Sequence, residues 1–150
     1  MEVPLTENDI INILQKYKPA AMKVFRNRVN LYFDRSKKEI KLEIPCGGGF
    51  YSKKVVYYQL NYKVLGLEEL IKPVLILKLV DKWIEELTCV EAEALFWRFI
   101  NHDFEYQLDF SDWRIRYRTL SYEEIAAKMK IKKQDVWKAV QRALKKLTAM

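Results

Sequence analysis

The chain has 150 residues, half of them hydrophobic and 31% charged, a mix that suits a globular protein able to build its own core without disulfide or metal staples. Lys and Arg number 27 against 20 Asp and Glu, a net charge of +7 that favours a polyanionic partner. The most apolar run, residues 74–80, is broken by Lys78 and is far shorter than the roughly 20 residues of a membrane span. The opening Met1-Glu2-Val3-Pro4-Leu5-Thr6-Glu7 lacks the pattern of a secretory signal, so a cytoplasmic protein with no membrane partner is expected.

Only four glycines and four prolines occur, and long stretches keep helical spacing, which predicts a mainly α fold with a helical N-terminal body and room for one small β-hairpin. Thr6 can cap a first helix, with Asp9 favouring its N-terminal dipole, and Ile10, Ile11, Ile13, Leu14 and Tyr17 give it an apolar face. Pro19 ends that helix or starts the next. A second helix is expected over about 20–35, where Val24, Phe25, Arg28, Val29 and Tyr32 fall at helical spacing. Residues 39–44 alternate polar and apolar, the period of a half-buried strand. The Gly47-Gly48-Gly49 run lacks the Lys-Ser/Thr of a phosphate-binding loop and reads as a flexible turn. Residues 52–60 fit either a strand paired with 39–44 or a helix, and the helix is favoured. A broad apolar face over 67–87 predicts a central helix, with Pro73 in its first turn or at a kink.

Cys46 and Cys89 are isolated, and His102 is the only histidine. A structural zinc site needs four ligands, so no metal or cofactor is expected, and Cys89 is expected to be a small buried residue. No paired carboxylates, metal cluster or nucleophile motif points to an enzyme.

Thr88 and Glu91 form a capping box before a helix carrying Ala92, Leu95, Phe96, Phe99 and Ile100. Residues 102–117 read as a long aromatic connection, with a short helix after Ser111 or an extended arm. Ser121 and Glu124 form another capping box, followed by Ile125, Ala126 and Met129 on the inward face. A short turn holds Ile131. A second helix over about 133–147 buries Val136, Val140, Ala143, Leu144 and Leu147. This pattern is a helix-turn-helix, whose second helix enters the major groove of DNA.

Charge follows the same division. Residues 113–150 hold 11 basic and three acidic side chains, a net of +8, while residues 1–112 hold 16 and 17, a net of −1. Lys132, Lys133, Gln134, Trp137, Lys138, Gln141 and Arg142 cluster at the start and outer face of the second helix. Gln can read adenine, and Lys or Arg can read guanine or hold phosphates. Arg114, Arg116 and Arg118 either hold phosphates or share one strand face in solvent. The plainer alternative is an amphipathic helical hairpin with a solvated basic face.

Residues 88–147 resemble region 4 of bacterial sigma factors. The stretch Glu91-Ala92-Glu93-Ala94-Leu95-Phe96-Trp97-Arg98-Phe99 is similar to the family's E-x-x-x-L-x-x-R-F. Leu120-Ser121-Tyr122-Glu123-Glu124-Ile125-Ala126 is similar to its T-x-E-E-I-A helix, and Val136, Arg142, Ala143, Leu144, Lys146 and Leu147 match its recognition helix. The resemblance implies base reading by Lys133, Gln134, Trp137 and Lys138. Two features depart from the family: Trp137 stands where primary sigma factors usually carry arginine, and the connection 101–119 is longer. The first 87 residues resemble no sigma region 2. Size and layout are similar to ArpU/RinA-type regulators of phage late genes.

These resemblances imply a phage- or prophage-derived, sequence-specific regulator of transcription that binds double-stranded DNA through residues 88–150. Residues 1–87 would serve oligomerisation or partner binding, with RNA polymerase and a second copy of the chain as further expected partners. The alternative is a small terminase-like DNA-packaging adaptor, which a ring of subunits would favour over a monomer or dimer.

Overall fold

Thr6 begins the first helix as expected: its hydroxyl accepts from the Asp9 N–H at 3.2 Å, and the Asp9 carboxylate accepts from the Thr6 N–H at 3.0 Å. In this computed structural model, which describes residues 5–25, 29–46, 49–52, 68–101, 103–109 and 112–149, α1 spans Glu7–Gln15 and α2 spans Tyr17–Phe25. Strands β1 (Asn30–Asp34), β2 (Glu39–Cys46) and β3 (Gly49–Ser52) follow, then α3 (Glu68–Glu85). Helix α4 (Cys89–Leu95) runs on into a π-helical turn, Phe96–Ile100. Strands β4 (Asp103–Asp109) and β5 (Asp112–Arg118) precede α5 (Tyr122–Met129) and α6 (Lys133–Thr148).

The fold is mainly α, as expected, and its β portion comprises, among the described residues, two small antiparallel sheets. Strands β1, β2 and β3 form an antiparallel meander, and β4 pairs with β5. The helix expected over 20–35 ends at Phe25, and Asn30–Asp34 is a strand. Leu31 faces the core while Tyr32 is exposed, and Leu31 stands opposite Leu42. Cross-strand pairing of this kind overrides helical spacing when the partner strand is at hand. The aromatic connection after residue 102 is a hairpin, with Asp103 opposite Arg118 and Asp109 opposite Asp112. The helix favoured over 52–60 meets strand β3 at Ser52, and its remainder lies outside the described residues.

A buried core runs from Ile10, Leu14 and Tyr17 through Ile40, Leu42, Leu77 and Trp83 to Val136, Ala143 and Leu147. It therefore crosses the 87/88 boundary read from the sequence. Helix α1 packs on α6 and on the π-helical turn, α2 packs on α3, and α4 and α5 both pack on α6. Pro73 lies inside α3, beyond its first turn, where it is buried and removes one backbone hydrogen bond. The buried Tyr17 hydroxyl donates to Asp81 Oδ1 at 3.2 Å, which ties α2 to α3.

The turn between β1 and β2 joins three helices. Asp34 Oδ1 accepts from the Ser36 hydroxyl at 2.6 Å and from the Ser36 and Lys37 N–H groups at 3.0 and 3.2 Å. These bonds, the Ser36 hydroxyl first, lower the Asp34 carboxyl pKa to about 2. Lys38 takes the left-handed conformation at φ 50°. Its ammonium donates to the Glu85 and Leu87 carbonyls at 3.0 and 2.8 Å, at the C-terminal end of α3, where a cation suits the helix dipole. Arg35 grips the buried Glu93 of α4 with two bonds of 2.5 and 2.9 Å and reaches the Lys128 carbonyl of α5 at 3.4 Å. The π-helical turn ends at Asn101, whose side-chain amide donates to the Leu31 carbonyl of β1 at 3.4 Å.

Arg35→Ala leaves Glu93 buried with only the Trp97 indole N–H as a partner among these contacts. The substitution is expected to lower stability by about 1.5–3 kcal/mol in urea unfolding, the cost of losing hydrogen bonds to a charged group. Lys41→Ala, which removes a partly exposed 3.4 Å pair with Asp34, is expected to change the midpoint far less.

Candidate nucleic-acid interface

Ser121 starts α5, its hydroxyl accepting from the Glu124 N–H at 3.2 Å. The reciprocal half of the box differs from expectation. Glu124 Oε1 accepts from the Ser121 hydroxyl at 3.1 Å instead of from the backbone. Ile125, Ala126 and Met129 face inward. Helix α5 ends at Lys130, which is left-handed at φ 59° and donates its N–H to the Ala126 carbonyl. Ile131 donates to the same carbonyl at 3.2 Å and packs against the core. An apolar contact just beyond a left-handed cap is a usual companion of such a helix end.

Lys132 then opens α6 in extended conformation without a side-chain cap. The first N–H groups of α6, at the positive end of its dipole, therefore have no side-chain cap; Lys132, Lys133 and the acidic Asp135 flank them. The inward face of α6 buries Val136, Ala139, Val140, Ala143, Leu144 and Leu147.

The outer face brings most of the sequence-derived site together. Lys132, Lys133, Gln134, Trp137 and Lys138 are exposed, and Gln141 is half-buried. Trp137 is 50% exposed, the one exposed large apolar side chain of α5 and α6. Lys133 pairs with Glu123 at 3.2 Å, with both side chains mostly in solvent, so this pair yields readily to another anion. Arg142 sits to one side, 62% exposed, with Nε 3.7 Å from Glu91 Oε2. Arg114, Arg116 and Arg118 hold alternate positions of β5, which puts them on one strand face opposite Gln107, Glu105 and Asp103. Their side chains lie outside the described residues.

The residues that position this face escape a reading of the sequence alone. Glu91 completes the Thr88 capping box, accepting from the Thr88 N–H at 3.0 Å. It is also 2% exposed and accepts from the Lys146 ammonium at 2.7 Å. One carboxylate thus caps α4 and anchors the far half of α6. Burial opposes ionisation of Glu91, but the Lys146 bond and the two Thr88 bonds outweigh it and hold its pKa below the ordinary value. The capping-box signature identifies Glu91 but gives no sign of its bond to Lys146. Arg98, in the R-F part of the resemblance, donates to the Leu120 carbonyl just before α5 and stacks 4.4 Å from the Tyr122 ring centre. Lys128 lies 4.8 Å from the Trp97 ring centre. Cys89, expected to be buried, is half-buried, and its thiol points to the Arg35 carbonyl at 3.7 Å.

Among the described residues, no helix is long and apolar enough to cross a membrane, and no group of His, Cys, Asp or Glu is placed to hold a metal ion. No protein-family model, curated protein or solved structure matches the chain.

Because the folded-state pKa of Glu91 is depressed, its contribution to stability is complete above the ordinary glutamate value of about 4.3 and is lost as pH falls through the depressed value. The Tm difference between the wild type and Glu91→Gln is therefore expected to hold steady from about pH 6 to 8 and to shrink below about pH 4. Thermal scans across that range check it.

Proposed function

We propose that the protein is a sequence-specific double-stranded-DNA-binding regulator of transcription that lays α6 in the major groove. The observation that carries this reading is the division of α6 into two faces. Its apolar face is packed against α1, α4 and α5. Its opposite face leaves Lys133, Gln134, Trp137 and Lys138 exposed and Gln141 half-buried, with Lys132 at the cap and Asp135 in the first turn.

Physical features of that surface suit duplex DNA. A helix of about 10–12 Å diameter matches the major groove. The uncapped N-terminus and its two lysines suit a backbone phosphate. Gln134 and Gln141 carry the amide N–H donor and carbonyl acceptor that complement the N7 acceptor and N6 donor of adenine in the groove. The +8 charge of residues 113–150 supplies attraction to the phosphate backbone, and the arginine row of β5 lies just before α5 in the chain. Arg142 contributes less to phosphate binding than the sequence suggests, because part of its charge is directed at Glu91.

The resemblance to sigma region 4 and to phage late-gene regulators supports a role beside RNA polymerase in phage or prophage transcription. In this reading the protein works inside the cell that holds the DNA, as a binder and not as an enzyme.

Purified protein is expected to bind a genomic duplex library in a salt-sensitive way and to enrich one motif. Lys133→Ala combined with Lys138→Ala is expected to weaken binding by on the order of tenfold at about 0.1 M salt. The slope of log K against log salt should flatten by about one for each phosphate that the variant no longer neutralises. Unchanged folding with no salt-sensitive binding by the wild type contradicts the reading.

A further inference from the structure

We infer that the outer face of α6 selects A·T base pairs, with Trp137 seated on a thymine methyl between adenines read by Gln134 and Gln141. This rests on the DNA-reading role proposed above and specifies the target of that same surface.

The geometry starts from helical spacing. Trp137 lies three residues after Gln134 and four before Gln141, so it neighbours both on the helix surface. The two glutamines are seven residues apart, about 10.5 Å along α6. On a helix that enters the groove at an angle, residues six or seven apart reach bases about two steps apart, with the residue midway between them on the base between. Each glutamine can bond one adenine through N6 and N7.

The tryptophan decides the rest. Val136 and Val140 beside it are fully buried and complete the core, whereas Trp137 remains half in solvent. Its side chain is a large apolar surface with a single N–H donor and no acceptor. The major groove offers one apolar group to such a surface, the C5 methyl of thymine. The charged neighbours Lys133 and Lys138 suit phosphates on either side. A neutral Gln-Trp-Gln reading stripe flanked by cations thus favours A·T pairs over G·C pairs, which a stripe of Arg and Lys would favour.

The test uses the full chain, wild type and Trp137→Ala, and duplexes selected from a randomised library. Selected sites are expected to hold A·T pairs at two positions about two base pairs apart. Replacing single thymines by uracil removes only the methyl group. At one position wild-type binding is expected to fall about fourfold, the scale of one buried methyl group. Trp137→Ala is expected to bind the thymine and uracil duplexes alike, and Trp137→Phe to keep part of the discrimination. Salt-sensitive binding by the wild type that ignores the methyl at every position, or selected sites with G·C at those positions, overturns the inference while leaving DNA binding intact. Loss of all salt-sensitive DNA binding by the wild type overturns the inference together with the reading on which it rests. Circular dichroism of the wild type and of each variant separates these results from misfolding.

Discussion

A carboxylate shielded from water must be paired, and Glu91 is 2% exposed. Its partners are the Thr88 backbone N–H, which starts α4, and the Lys146 ammonium, near the end of α6. That constraint fixes two helices relative to each other at a single point. The apolar face of α6 then has little freedom: it closes on α4, α5 and α1, and its polar face is left outward. Glu93, 4% exposed on the same helix, repeats the device towards the β1–β2 turn through Arg35. The segment of α4 between Glu91 and Glu93 therefore braces the molecule on two sides. Removing a partner from either site leaves a buried charge, which costs more than the pair itself contributes.

The proposed reading helix is part of the body. Helix α1 packs on α6, and the core that includes Ile10 and Leu14 is continuous with the one that includes Val140 and Leu147. A groove-reading surface benefits from this arrangement, because base contacts demand that donors and acceptors be held in place before binding. Arg98 contributes from below. Its bond to the Leu120 carbonyl and its position over Tyr122 hold the start of α5 after the β4–β5 hairpin. Glu91 and Arg98 thus brace α5 and α6 from within, and no DNA contact is needed to account for them.

Much of this is legible in the chain. Thr6 with Asp9, Thr88 with Glu91 and Ser121 with Glu124 each mark a helix start, because capping chemistry is local and needs no tertiary knowledge. The inward residues of α5 and α6 follow from spacing alone. What cannot be read depends on distant partners. Asn30–Asp34 is extended because β2 lies alongside, although Val29 and Tyr32 also suit a helix. The β4–β5 hairpin carries period-two alternation, yet the sequence between Asp109 and Asp112 holds no glycine or asparagine to signal a hairpin. The outer residues of α6 stand out as a basic cluster, but the Glu91–Lys146 bond spans 55 residues and leaves no local pattern. Arg142 reads as a free cation for the same reason: its nearest acid is on another helix.

The central claim is that the exposed face of α6 is where duplex DNA meets the protein. Backbone amide chemical-shift mapping during titration with a selected duplex tests it most directly. The largest shifts are expected to gather over 130–141, from the α5–α6 turn through the first half of α6, with small changes in α2 and α3. Shifts centred on those helices, or saturation of the duplex without change in α6, would contradict it.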